Sequence, residues 1–96
     1  MNSNEDIILE QIRHYIETQI GPIDELADLY ADDVITIETA VELNRLEEPY
    51  ELSDLRRHVS DKVYSMLDCT TCELYLHVNE LDGVLEITAD ILMDED

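Results

Sequence analysis

Hydrophobic residues recur along this chain in two rhythms, one helical and one alternating. From Ser3 to Ile20, Ile8, Leu9, Ile12, Tyr15 and Ile16 fall at three- and four-residue steps, the stripe of a helix, with Asp6, Glu10 and Glu17 opposite and Arg13 among those acids. Ser3 and Asp6 resemble a capping box, which starts that helix near Asn4. Gly21 fits a left-handed helix end, and Pro22 fits the first turn of a second helix. Leu52, Leu55, Val59, Val63 and Met66 make the inner face of a third helix, about Asp54 to Leu67, capped by Ser53. Asp54, His58, Asp61, Ser65 and Asp68 form its outer face, and Arg56 is expected to snorkel from the apolar side to a carboxylate. Between these two helices, Glu47 to Glu51 reads as a connection, since Pro49 disfavours a helix through Glu48.

The alternating rhythm belongs to the C-terminal part. Cys72 to Leu81 and Val84 to Met93 flank Asp82-Gly83, a type I′ turn signal, and read as a β-hairpin. The turn fixes the register. Leu74–Ile91, Leu76–Ala89 and Val78–Ile87 face one side; Tyr75–Asp90, His77–Thr88 and Asn79–Glu86 face the other. The last residues, Met93 to Asp96, are expected to be a frayed acidic tail.

Ile23 to Leu43 fits both rhythms. Ile23, Leu26, Ala27, Tyr30, Val34, Ile37 and Val41 form a helical stripe, with Asp24, Glu25, Asp28, Asp32 and Glu42 on the far side and Glu38 at the boundary. A continuous helix to about Glu47 leaves Ile35 in the middle of the acidic face, and a break near Asp32-Asp33 would release it. Val34 to Leu43 also alternates, with Ile35, Ile37, Thr39, Val41 and Leu43 on one side. The helical reading is favoured. The expected fold is therefore α+β: three or four helices followed by a C-terminal antiparallel hairpin, in one domain spanning residues 1–96. The apolar face and open edge of a two-stranded hairpin need cover, so a homodimer is expected.

Charge changes this picture most. The chain carries 25 Asp and Glu against 5 Lys and Arg, a formal net charge of -20, yet 45% of its residues are hydrophobic and regularly spaced. Such a charge with little apolar content would predict disorder, but this hydrophobic content and spacing predict a folded domain. It also argues against binding nucleic acid or an anionic membrane, and favours a basic partner. No membrane-span pattern and no leader pattern is present, so a cytoplasmic protein is expected, in the host cytoplasm if phage-encoded. No Lys or Arg occurs between Arg13 and Arg45, although mixed signs one turn apart would stabilise a helix there.

Candidate chemistry adds little. Cys69 and Cys72 form a lone CxxC at a helix end, without the helix N-terminus that activates a redox dithiol. Zinc would need two more ligands, for which His58 and His77 are the candidates; reduced structural cysteines are the simpler reading. The tip Asn79 to Gly83 fails as a calcium loop, because counting back puts Val78 where an Asp is needed. No nucleophile elbow or phosphate loop is present. No enzyme activity, cofactor or metal is expected.

The charge remains to be explained. A salt-adapted surface is one reading. Imitation of DNA is the other: carboxylates one turn apart repeat about every 6 Å along a helix, against one duplex charge per about 1.7 Å of axis. In size, acidity and the acidic runs Asp24–Glu42 and Asp68–Asp96, the chain resembles the bacteriophage-type DNA-mimic inhibitors. These include anti-restriction proteins, uracil-DNA glycosylase inhibitors, some anti-CRISPR proteins and phage inhibitors of the histone-like protein HU. The likeness is one of charge, size and composition over the whole chain, with no shared residue motif. It implies inhibition of a bacterial DNA-binding protein at its DNA site, an HU-like nucleoid protein first and a restriction or CRISPR nuclease next. Asp24, Glu25, Asp28, Asp32, Glu38 and Glu42 are the expected partner-binding residues. The alternatives are an acidic adaptor or chaperone for another basic protein, and a zinc or redox protein using the CxxC pair.

Overall fold

The computed structural model describes residues 3–29, 33–67 and 72–93. Helix α1 spans Asn4–Tyr15 and starts where the Ser3 hydroxyl accepts the Asp6 N–H at 3.2 Å. Ile8, Ile12 and Ile16, four residues apart, are fully buried. Beyond Tyr15 the helix widens into a π turn, Ile16–Ile20, closed by the Gly21 N–H on the Ile16 carbonyl at 2.8 Å. Gly21 stands at φ 155°, a positive value open to glycine, and not in the left-handed helical well expected of it. Pro22 is extended rather than helical, and precedes a 3-10 turn at Ile23–Glu25.

No long second helix follows. Helix α2 is a single turn, Leu26–Leu29, and Val34–Glu42 is a strand, β1. Helix α3, Leu52–Leu67, begins one residue ahead of Ser53, which lies in its first turn and is not the cap. Its inner face is as the spacing indicates: Leu55, Val59 and Val63 are buried, with Leu52 and Met66 partly so. Arg56 is exposed. Strands β2, Glu73–Leu81, and β3, Val84–Leu92, form the expected hairpin in the expected register, from Leu74–Ile91 to Leu81–Val84. Asp82 and Gly83 both take positive φ, 52° and 82°, as a type I′ turn requires.

The expected fold of three or four helices before a lone hairpin is therefore corrected. The described residues form two long helices, α1 and α3, and a three-stranded antiparallel sheet in the order β1-β3-β2. Strand β1 pairs with β3 from Val34–Leu92 to Glu42–Val84. The physical reason is long-range. β3 has a second edge that a hairpin alone leaves unpaired, and the β-branched run Val34, Ile35, Thr36, Ile37 suits that place. As a strand, β1 buries Ile35, Ile37 and Val41 together, whereas a helix exposes Ile35.

One face of the sheet closes the core. Ile35, Ile37 and Val41 of β1, Leu76 of β2, and Leu85, Ile87, Ala89 and Ile91 of β3 are buried with the stripes of α1 and α3. The apolar sheet face on which a homodimer was expected to rest is covered by helices of the same chain. Cys72 is buried, and Cys69 lies outside the described residues, as do Tyr30, Asp32, Asp68 and the tail from Asp94. Among the described residues, no helix is long and apolar enough to cross a membrane.

Candidate acidic interface on the sheet

Burying one face of a strand exposes the other, because successive side chains alternate. On β1 that exposed face carries Val34, Thr36, Glu38, Ala40 and Glu42. The two registers set these beside Leu92, Asp90, Thr88, Glu86 and Val84 of β3, and beside Glu73, Tyr75, His77, Asn79 and Leu81 of β2. Among the described residues, the outer face therefore holds five carboxylates, Glu38, Glu42, Glu73, Glu86 and Asp90, and no Lys or Arg.

Their arrangement is regular. No carboxylate lies directly opposite another: Glu38 faces Thr88, Asp90 faces Thr36 and Tyr75, Glu86 faces Ala40 and Asn79. Like charges directly opposite would destabilise the sheet. The acids are instead diagonal neighbours. Glu73, Asp90, Glu38, Glu86 and Glu42 make one zigzag along the sheet, in steps of about 7–8 Å between strands. The Thr36 hydroxyl donates to Asp90 Oδ1 at 3.1 Å, and the Tyr75 hydroxyl donates to Glu73 Oε2 at 2.9 Å. That bond to Glu73 raises the Tyr75 pKa above its ordinary value. Ala40 leaves a shallow hollow beside Glu38, Glu86 and Thr88. At the ends of the face stand exposed apolar groups, Val34 and Tyr75 at one and Leu81 at the other.

The cations sit elsewhere. Arg13 lies on α1, Arg45 in the 3-10 turn after β1, and Arg56, Arg57 and Lys62 on α3. Arg13 meets Glu17 at 3.0 Å, Arg57 meets Asp54 at 3.5 Å, and Lys62 ties α3 to Asp6 of α1 at 3.3 Å. His58 lies 3.3 Å from Glu5, beside the same helix start. Lys62, with help from Ser3, holds the Asp6 carboxyl below its ordinary range. Glu5 is lowered chiefly by a backbone hydrogen bond, against the opposing effect of burial.

The expected partner-binding residues are thus divided. Glu38 and Glu42 lie on the outer sheet face. Asp24, Glu25 and Asp28 are exposed on the turn and on α2, so they share no helix face with Glu38 or Glu42. Asp32 is outside the described residues. Glu73, Glu86 and Asp90 were not named among them. The hairpin register had already put Glu86 and Asp90 on its polar side, and only the pairing of β1 joins them to Glu38 and Glu42. Among the described residues, no three His, Cys, Asp or Glu side chains come together as a metal site. No family model, curated protein or solved structure matches the chain.

Proposed function

We propose that this protein binds a basic DNA-binding protein at its DNA site, and inhibits it, by presenting the outer face of the sheet in place of phosphates. The observation that carries this is the zigzag of Glu73, Asp90, Glu38, Glu86 and Glu42 on a face without Lys or Arg. Such a face offers cations an ordered row of charge on a rigid support, and binding releases counterions from both surfaces. The resemblance to phage DNA-mimic inhibitors points the same way. A non-specific nucleoid protein of the HU kind fits first, since such proteins read backbone charge and shape more than bases; a restriction or CRISPR nuclease comes next. The role needs no enzyme activity, cofactor or second copy of the chain, and places the protein in the cytoplasm of a bacterial cell. The test is competition. A purified HU-type protein bound to the labelled chain should be released by duplex DNA. Retention of the complex under excess DNA would point instead to an acidic adaptor or chaperone.

A further inference from the structure

The two edges of the sheet are not alike. Antiparallel pairs alternate between those that exchange backbone hydrogen bonds and those that do not. The Met93 N–H donates to the Asp33 carbonyl at 2.9 Å, and the Leu43 N–H to the Gly83 carbonyl at 3.0 Å. Counting by twos between these two bonds, Ile35, Ile37, Thr39 and Val41 turn their backbone groups toward β3. Val34, Thr36, Glu38, Ala40 and Glu42 therefore turn theirs to the open edge. Val34 N–H is taken by the Asp33 carboxylate at 2.8 Å. Among the described residues, nothing accepts from the N–H groups of Thr36, Glu38, Ala40 and Glu42. On the opposite edge, β2, the Tyr64 hydroxyl accepts the outward N–H of Leu74 at 2.8 Å, and Tyr50 donates to the Glu80 carboxylate at 3.1 Å. Leu76 and Val78 also turn their N–H groups outward there, but their side chains lie on the core side of the sheet and put no charge beside that edge.

An exposed edge is usually blunted by Lys, Pro or a bulge. β1 has none of these over nine residues. What it carries is Glu38 and Glu42, on the residues whose backbone faces outward. Added to such an edge, a second copy of this chain would set its own acids beside them, and like charges across a strand pair repel. A strand bearing Lys or Arg would bring attraction in the same positions.

We propose that β1 is a docking edge for an extended basic segment of the partner protein, which adds as a fourth strand and pairs with the backbone of Thr36, Glu38, Ala40 and Glu42. Main-chain bonds supply affinity in this mode, and side chains at alternate positions supply selectivity. Glu38 and Glu42 supply that selectivity here. The inference rests on the partner being basic, and says which of its parts makes contact.

The probe is a nine-residue peptide of alternating Lys and Thr, titrated into the isotopically labelled protein and followed by amide exchange. Protection should appear at Thr36, Glu38, Ala40 and Glu42 and not at Leu74 or Leu76. The same peptide with its pairing amides N-methylated keeps its charge and loses its donors; it should bind about tenfold more weakly or worse. Ala40→Pro removes one outward N–H without touching a β1–β3 bond, and should abolish protection at its neighbours Glu38 and Glu42. Equal binding of both peptides, no binding by either, or protection away from β1 overturns the docking edge. The broader function fails separately, when a purified HU-type protein neither binds nor is displaced by duplex DNA.

Discussion

The helical layer and the outer face of the sheet belong to one small acidic chain, and they treat charge in opposite ways. On the helical side, Arg13, Arg57 and Lys62 each stand beside a carboxylate, and Lys62–Asp6 and His58–Glu5 also pin α1 to α3. These contacts are exposed and individually weak, and acids such as Glu10 and Asp61 stay outside them, but every helix cation named here has a carboxylate within reach. On the sheet, five carboxylates share one face with no cation among them. Offsetting them diagonally reduces the repulsion without removing it. A protein that needed only solubility could have shared its cations between both sides. The separation is the feature on which the proposed recognition of a basic partner rests.

The two faces of the sheet differ most in what a substitution costs. Ile87, fully buried at the middle of the central strand, should cost about 2–5 kcal/mol when changed to Ala, read from urea unfolding. Its neighbour Thr88 points outward, and Thr88→Ala should stay within about 0.5 kcal/mol. Comparable losses at both positions would mean that the outer face is covered.

Salt should separate the helical layer from the sheet more gently. Melting temperature should rise with NaCl, as the Debye length shrinks from about 30 Å at 0.01 M to about 3 Å at 1 M. Glu38→Lys with Glu86→Lys and Asp90→Lys should flatten that rise more than Glu10→Lys with Asp54→Lys and Asp61→Lys, which changes net charge equally. Equal flattening would mean that repulsion is spread over the whole surface.

The smallest contrast is in pH. Asp6 and Glu5 are held below their ordinary values of 3.8 and 4.5, so what they add to stability is present above those values. It is lost as pH falls through their lowered folded pKa values. Tyr75 and Tyr50 are raised above 10.0, Tyr75 by its bond to Glu73 and Tyr50 chiefly by burial, with Glu80 adding. Their contribution is present below pH 10.0 and lost as pH climbs through the raised values. Asp6→Asn should soften the acid limb of a stability profile and leave the alkaline limb alone; Tyr75→Phe should do the reverse. An acid limb unchanged by Asp6→Asn would remove the helix-start contacts from the account.

The hairpin was legible residue by residue, because Asp82-Gly83 fixes the register and strict alternation agrees with it. Helices α1 and α3 were legible from their stripes. Strand β1 was not, because Val34, Ile37 and Val41 satisfy a helical step while Ile35, Ile37, Thr39 and Val41 satisfy a strand step. What decides is β3, some fifty residues away in sequence, a partner that local periodicity cannot see. Ile35 stranded on an acidic helix face was the available signal. The grouping of the acidic residues depends on the same choice between helix and strand. Glu38 and Glu42 lie on the sheet face; a continuous helix would line them up with Asp24, Glu25 and Asp28, which instead stand on the 3-10 turn and α2.

The central claim is that the outer sheet face, and not acidity at large, carries binding. The direct measurement is a titration of a purified HU-type protein from about 50 to 200 mM salt, the range in which phosphate-like contacts lose most affinity. It compares the chain with two variants of equal net charge: Glu38→Lys, Glu86→Lys, Asp90→Lys on the sheet, and Glu10→Lys, Asp54→Lys, Asp61→Lys on the helices. Both should keep the wild-type circular dichroism spectrum. The sheet variant should bind at least about tenfold more weakly with a flatter salt dependence, while the helix variant stays near wild type. Equal weakening of both, or wild-type binding by the folded sheet variant, would contradict the claim.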